Sequence, residues 1–285
     1  MTLWSLCLII AAALFHAIWN LITKQVNGRL PFFWLVCFFS AVIYLPFVSY
    51  QLTKEPVAYT YSIILFAVVS GLLHLLYFVV LQAGYRNADL SIVYPIARGA
   101  GPLFSVSGAI LIFHEHPGVL ALAGVALIIA GVIIMTGISF KRGTAVSKGL
   151  LYGTLTGVFI ASYTLWDKTA VVDYHVSGVF ITFASVVLPM LLLIHIPIKQ
   201  HQAVIATAKN NWKQAIAVAV FQPLAYWLVL LALKTTPVTY VAPARELSIV
   251  FGVFFGMNVL KEKDSTKRLL GSLVILGGIA LLAIG

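Results

Sequence analysis

Apolar residues run through this chain in long blocks, and the polar positions are gathered into short gaps between them. Ten such blocks fall near 3–23, 31–50, 61–83, 89–113, 117–138, 148–167, 176–198, 212–233, 237–258 and 267–284. Each is about 20 residues long, enough for a helix to cross a hydrocarbon core of roughly 30 Å. Helices are the expected spanning element, because lipid offers exposed backbone groups no hydrogen-bond partner. The connectors are too short to hold a soluble domain.

Composition agrees with the pattern. The 285 residues are 61% hydrophobic and 9% charged, and the mean hydropathy is +1.04. Soluble domains carry about 25% charged residues, so this chain has too few to cover a water-facing surface. A polytopic, integral membrane protein is predicted, with the lipid bilayer as its surroundings. The net charge of +10 does not signal a nucleic-acid partner, since the basic residues lie in connectors and form no patch. Cys7 and Cys37 both fall inside apolar blocks, so no disulfide framework is expected. The opening MTLWSLCLII lacks a basic leader region and reads as the first span, not as a cleaved signal peptide.

Charge also orients the chain. Thirteen Lys and Arg follow odd-numbered spans, among them Lys141, Arg142, Lys261 and Lys263; only Lys54, Lys168 and Lys234 follow even-numbered ones. The positive-inside rule places the thirteen in the cytoplasm and both termini outside. Two cations remain, Arg98 and Arg245, and both lie within spans.

Those two arginines are separated by 147 residues, and the same spacing links Trp19-Asn20 to Trp166-Asp167, Glu115 to Glu262, Gly124 to Gly271 and Gly131 to Gly278. Each copy holds five spans. An odd number makes the second copy enter the membrane from the opposite side, so the expected fold is all-α, with ten transmembrane helices as two inverted five-helix repeats. The halves are taken as 1–140 and 148–285. In secondary transporters of this plan, substrate sites lie near the midplane where the copies meet.

The residues AIWNLITK and TLWDKTAV, the Pro-containing stretch YPIARGAGPLF with a Glu after it in FHEHPGVL, and the returning scheme APARELSIVFGVFFGMNVLKEK resemble the drug/metabolite transporter superfamily, specifically its ten-span EamA-type members. The likeness spans nearly the whole chain. It implies export or exchange of a small metabolite by alternating access, in a bacterial cytoplasmic membrane. Four-span relatives couple to protons through a Glu in their first span; here that span holds His16 and Asn20 and no carboxylate.

An Arg at the bilayer centre costs about 2.5–3.5 kcal/mol on insertion scales, so Arg98 and Arg245 need a partner or a wet cavity. Two readings follow: an anchor for an anionic substrate group, or a structural ion pair with Glu246, which could reach Arg98. Pro95 and Pro102 around Arg98, and Pro237 and Pro243 before Arg245, predict kinked or partly unwound backbone at both places. His16 and Asn20 share a helical face, as do Tyr163 and Asp167 at the 147-residue spacing; both pairs read as cavity lining or as interhelical hydrogen bonding. His74, Gln82, Gln222 and Tyr226 are further candidates. Glu246 and the histidines are the groups able to carry a coupling proton. His114-Glu115-His116 sits in a turn without a fourth ligand, so no metal site is expected, nor any other cofactor. Gly149, Gly153 and Gly157 form a small-residue stripe suited to close helix packing.

The expected function is secondary active transport of a small, anionic or zwitterionic metabolite of amino-acid or organic-acid type, with export favoured. A non-transporting accessory membrane protein is the alternative. Catalysis is not expected, because HExxH, GxSxG and a paired-Asp motif are lacking, and a nucleotide-driven pump would need a GxxxxGK[ST] loop.

Overall fold

The computed structural model describes residues 1–26, 29–54, 61–88, 90–136, 144–258 and 266–285. Lys141, Arg142, Lys261, Lys263 and Glu262, used in the charge count and the repeat, lie outside the described residues.

The described residues are all-helical. Twelve α-helices follow in order: α1 (Leu3–Gln25), α2 (Leu30–Lys54), α3 (Tyr61–Asn87), α4 (Leu90–Phe113), α5 (Val119–Thr136), α6 (Thr144–Lys168), α7 (Gly178–Leu192), α8 (His195–Lys199), α9 (His201–Leu233), α10 (Val238–Ala244), α11 (Leu247–Asn258) and α12 (Thr266–Ile284). A π-helical turn, Thr169–Asp173, prolongs α6. Eight stretches are long and apolar enough to cross a membrane, counting α7 with α8 and α10 with α11 as one each; α5 contributes a shorter apolar helix. The molecule is thus a multi-pass membrane protein. The remaining long helix, α6, carries several Ser, Thr and Gly among its apolar residues and packs against α3 and α4.

Leu3, Leu111 and Leu273 are 77%, 75% and 64% exposed, an outward apolar surface that only lipid would solvate without cost. Inside, Ile9, Ile128, Ile181, Leu230, Ile275 and Leu282 anchor one core. A second cluster joins α8 and the front of α9, through Ile196 and Val204, to Phe32, Leu35 and Val36 of α2. That front segment is set off by Asn211, whose φ of −133° and ψ of 24° break the helix. The break falls next to position 212, where the apolar block 212–233 of the sequence begins.

Helix neighbours come in exchangeable sets. α4 lies on α6, and α11 on α1; α3 lies on α6, and α9 on α1; α3 lies on α7, and α9 on α2. Advancing one copy into the other converts the first member of each set into the second. The α5–α12 contact behaves the same way. A Cβ added at Gly124 would sit 2.7 Å from the Gly278 carbonyl oxygen, and one at Gly131 would sit 2.8 Å from that of Gly271. These approaches bring backbone against backbone, and the 147-residue spacing turns one contact into the other. The Gly149, Gly153, Gly157 stripe of α6 receives Ile92, Ile96 and Ala100 of α4.

Both termini lie at one face. Thr2, Ser5, Thr235 and Thr236 share a chain of hydroxyl contacts, and Tyr240 Oη donates to the Gly285 carbonyl at 3.2 Å. Glu115, from the α4–α5 turn, accepts from the Val238 and Thr239 amides at 2.9 Å each. It thereby satisfies the first free N–H groups of α10, which is what this carboxylate of the His-Glu-His sequence does.

The expected interruption of the helix occurs at one arginine and not the other. Between α10 and α11 the ladder tightens, with Glu246 N donating to Pro243 O and Ile249 N to Glu246 O, three residues back. Around Arg98, however, α4 is continuous from Leu90 to Phe113. Its close fit along the α6 glycine stripe holds the helix together despite its two prolines.

Candidate functional site

The broken α10–α11 junction and the unbroken α4 bring Arg245, Glu246 and Arg98 to a common cavity. Its wall comprises His16 of α1, Tyr77 of α3, Arg98, Pro102 and Ser105 of α4, Ile160 and Tyr163 of α6, and Ala242, Arg245 and Glu246. The cavity is small, about 30 Å³, room for a water or two and far below the roughly 300–1,000 Å³ of an open small-molecule site. Both sequence copies contribute, which follows from α4 lying on α6 and α10 on α4.

Arg98 is committed. Its Nε lies 2.9 Å from Glu246 Oε2, and its Nη2 donates to Ser248 Oγ at 2.8 Å. The close Nε–Oε2 approach is an ion pair and not an aligned hydrogen bond, since neither atom has a hydrogen-bond partner. Arg245 is different. Its polar contacts are Tyr163 and Thr164 Oγ1, the latter at a long 3.4 Å, and its guanidinium carbon stands 5.8 Å from the Tyr226 ring centre. No carboxylate among the described residues forms an ion pair with it. With one arginine ion-paired and one not, Arg245 is the cation of the wall without a directly bonded carboxylate. Ser105 Oγ adds a buried hydroxyl without a partner.

A second layer stands behind Tyr163. The His74 ring stacks on Tyr163, with centroids 4.2 Å apart, and meets Tyr226 edge-on at 4.9 Å. His74 Nδ1 lies 2.9 Å from the Ser70 carbonyl. Beyond them is Asp167, fully buried, which accepts a hydrogen bond from the Tyr226 hydroxyl through Oδ2. Asp167 Oδ1 and Ser70 Oγ, both buried, have no partner.

The candidates from sequence therefore separate. His16, Arg98, Tyr163, Arg245 and Glu246 line the cavity; His74 and Asp167 form its backing. Asn20 does neither: it is exposed, and its Nδ2 donates to the His16 carbonyl of its own helix at 2.7 Å. Gln222 is half-buried on α9 and is not part of the wall. Tyr77, Pro102, Ser105, Ile160 and Ala242 complete the lining. Of these, Ile160 and Ala242 gave no signal in the sequence, because an apolar residue in an apolar helix looks the same facing lipid or cavity.

A bundle of apolar helices around a small, charged cavity defines a polytopic membrane protein. The chain belongs to the EamA-like transporter family, which matches residues 3–137 and 147–284 and falls within the drug/metabolite transporter superfamily. No curated protein matches the sequence. One solved structure, described only as the crystal structure of a protein, is similar over 98% of this chain and 96% of its own, with a TM-score of 0.77 at 15% identity. At that identity the likeness concerns the fold alone.

Proposed function

We propose that this protein is a secondary active transporter that moves a small anionic or zwitterionic metabolite, of amino-acid or organic-acid type, by alternating access. Arg245 binds the anionic group. The observation that carries the reading is the contrast within one cavity: Arg98 already has its carboxylate, and Arg245 has none. An unpaired guanidinium in a low-dielectric wall is costly and gains most from a ligand bringing negative charge.

The two halves act as inverted five-helix repeats. The exchangeable helix neighbours and the reciprocal Gly124–Gly278 and Gly131–Gly271 approaches support this, and such repeats provide alternating access by rocking one unit against the other. Export across a bacterial cytoplasmic membrane is the direction and setting we favour, as the family resemblance implies.

Counterflow into proteoliposomes, using radiolabelled amino acids, dicarboxylates and phosphonates, tests the reading. At least one anionic or zwitterionic compound is expected to exchange. Arg245→Gln is expected to lower its flux at least about tenfold, the loss of one charge-assisted contact, with folding yield unchanged. Transport of cations alone, or unimpaired flux in Arg245→Gln, would refute it.

A further inference from the structure

Asp167 is the carboxyl group that the transport reading leaves unused. It is fully buried and has no ion-pair partner among the described residues. One oxygen accepts from Tyr226; the other lies next to the Ser70 hydroxyl, both buried and without an aligned hydrogen bond. A buried carboxyl in this position needs either a counter-charge or a proton. Arg245 stands over the same Tyr226 ring, its guanidinium carbon 5.8 Å from the ring centre, and donates to Thr164, which stands one turn before Asp167 on the same face of α6.

We propose that Asp167 is the binding site of a transported proton, and that Asp167 and the substrate anion alternate in neutralising Arg245. The idea rests on the assignment of Arg245 as the anion anchor. With the cavity empty, ionised Asp167 balances Arg245 through the Tyr226 bridge. When an anion reaches Arg245, that balance is supplied from the cavity, and Asp167 takes one proton from water onto Oδ1, with Ser70 Oγ positioned to accept from it. Releasing the anion reverses the step and returns the proton. Proton and anion consequently bind together and travel the same way, one for one.

The surrounding groups leave Asp167 as the carrier. Glu246 is committed to Arg98, the one other cation of the cavity. His74, from α3, is fixed by its Ser70 contact and its stack on Tyr163, and His16, from α1, lies edge-on to Trp19. Tyr77 and Tyr163 face the cavity, and Tyr226, from α9, is already the donor to Asp167. Lys168, the next residue of α6, points elsewhere: it sits 3.7 Å from Asp173 and over the Phe113 ring.

Infrared difference spectroscopy on the full-length protein in nanodiscs, with acetate as the probe anion, tests this. A protonated-carboxyl band is expected to grow as pH falls and to be missing from Asp167→Asn. Saturating acetate at fixed pH should raise the band in the wild type and leave it unchanged in Arg245→Gln. Acetate affinity should strengthen by up to about tenfold per unit drop in pH, the limit for one linked proton, and be flat in Asp167→Asn. Should Asp167→Asn not fold, Tyr226→Phe, which keeps the carboxyl and removes its donor, is expected to shift the frequency of the same band. A titrating band that persists in Asp167→Asn, one that Tyr226→Phe leaves unmoved, or acetate binding independent of pH in the wild type would overturn the proposal. Acetate failing to bind while the Asp167 band titrates would overturn instead the anchor role of Arg245 and the one-for-one coupling.

Discussion

Replacing Glu246 with Gln gives the sharpest measure of what the paired arginine contributes. Arg98 and Glu246 side chains are 17% and 6% exposed and approach to 2.9 Å, so solvent screens them little. At an effective dielectric of about 20, unit charges about 3 Å apart attract by roughly 5–6 kcal/mol, most of which offsets the desolvation of both groups. Removing one partner leaves the other stranded, and such losses run to about 3–5 kcal/mol. The lower end is expected here, because Ser248 still accepts from Arg98 at 2.8 Å and a Gln amide oxygen still offers an acceptor. About 3 kcal/mol corresponds to roughly a hundredfold change in the unfolding equilibrium, readable by reversible SDS unfolding in bicelles. The double variant Arg98→Gln with Glu246→Gln strands no charge and should recover more than half of the loss. A cost below about 1 kcal/mol for Glu246→Gln, or a double variant as unstable as the two single losses added, would refute the assignment of Arg98 as a structurally paired cation.

Two further outcomes concern packing and capping. Gly278→Ala would place a Cβ 2.7 Å from the Gly124 carbonyl oxygen and 3.0 Å from the Ile128 amide nitrogen; backbone cannot swing aside, so a loss of about 1–3 kcal/mol is expected, measured by the same unfolding assay. Glu115→Ala removes both acceptors of the Val238 and Thr239 amides and should cost about 1–2 kcal/mol; amide exchange at those two positions should accelerate, while exchange in α5 stays unchanged.

Much of this architecture was readable because lipid makes sequence simple. Apolar length alone marked the eight stretches long and apolar enough to cross a membrane, and the 147-residue spacing paired Arg98 with Arg245. Even the Arg98–Glu246 partnership was available as an option, since neighbours in sequence point about 100° apart on a helix. Other features depended on contacts the pattern does not encode. Asn20 and Asp167 occupy matched positions, yet Asn20 can donate to its own helix and turn outward, whereas a carboxylate has no donor and needs Tyr226. Prolines predicted two interruptions, but the grip of the Gly149, Gly153, Gly157 stripe on Ile92, Ile96 and Ala100 kept α4 whole. The break at Asn211 carries no Pro or Gly of its own and so left no mark.

The α5–α12 pair has a consequence for how such a molecule can move. Its two helices touch main chain to main chain at points seven residues apart, and Gly285 tucks against Leu120 and Ala121 at one end. The Ile128, Ile275 and Leu282 side chains lock over the glycines of the facing helix, and a seam this tight leaves little slack for sliding. In the alternating-access cycle proposed above, α1, α3, α6 and α9 would move around this pair, which would then serve as the fulcrum and not as the door.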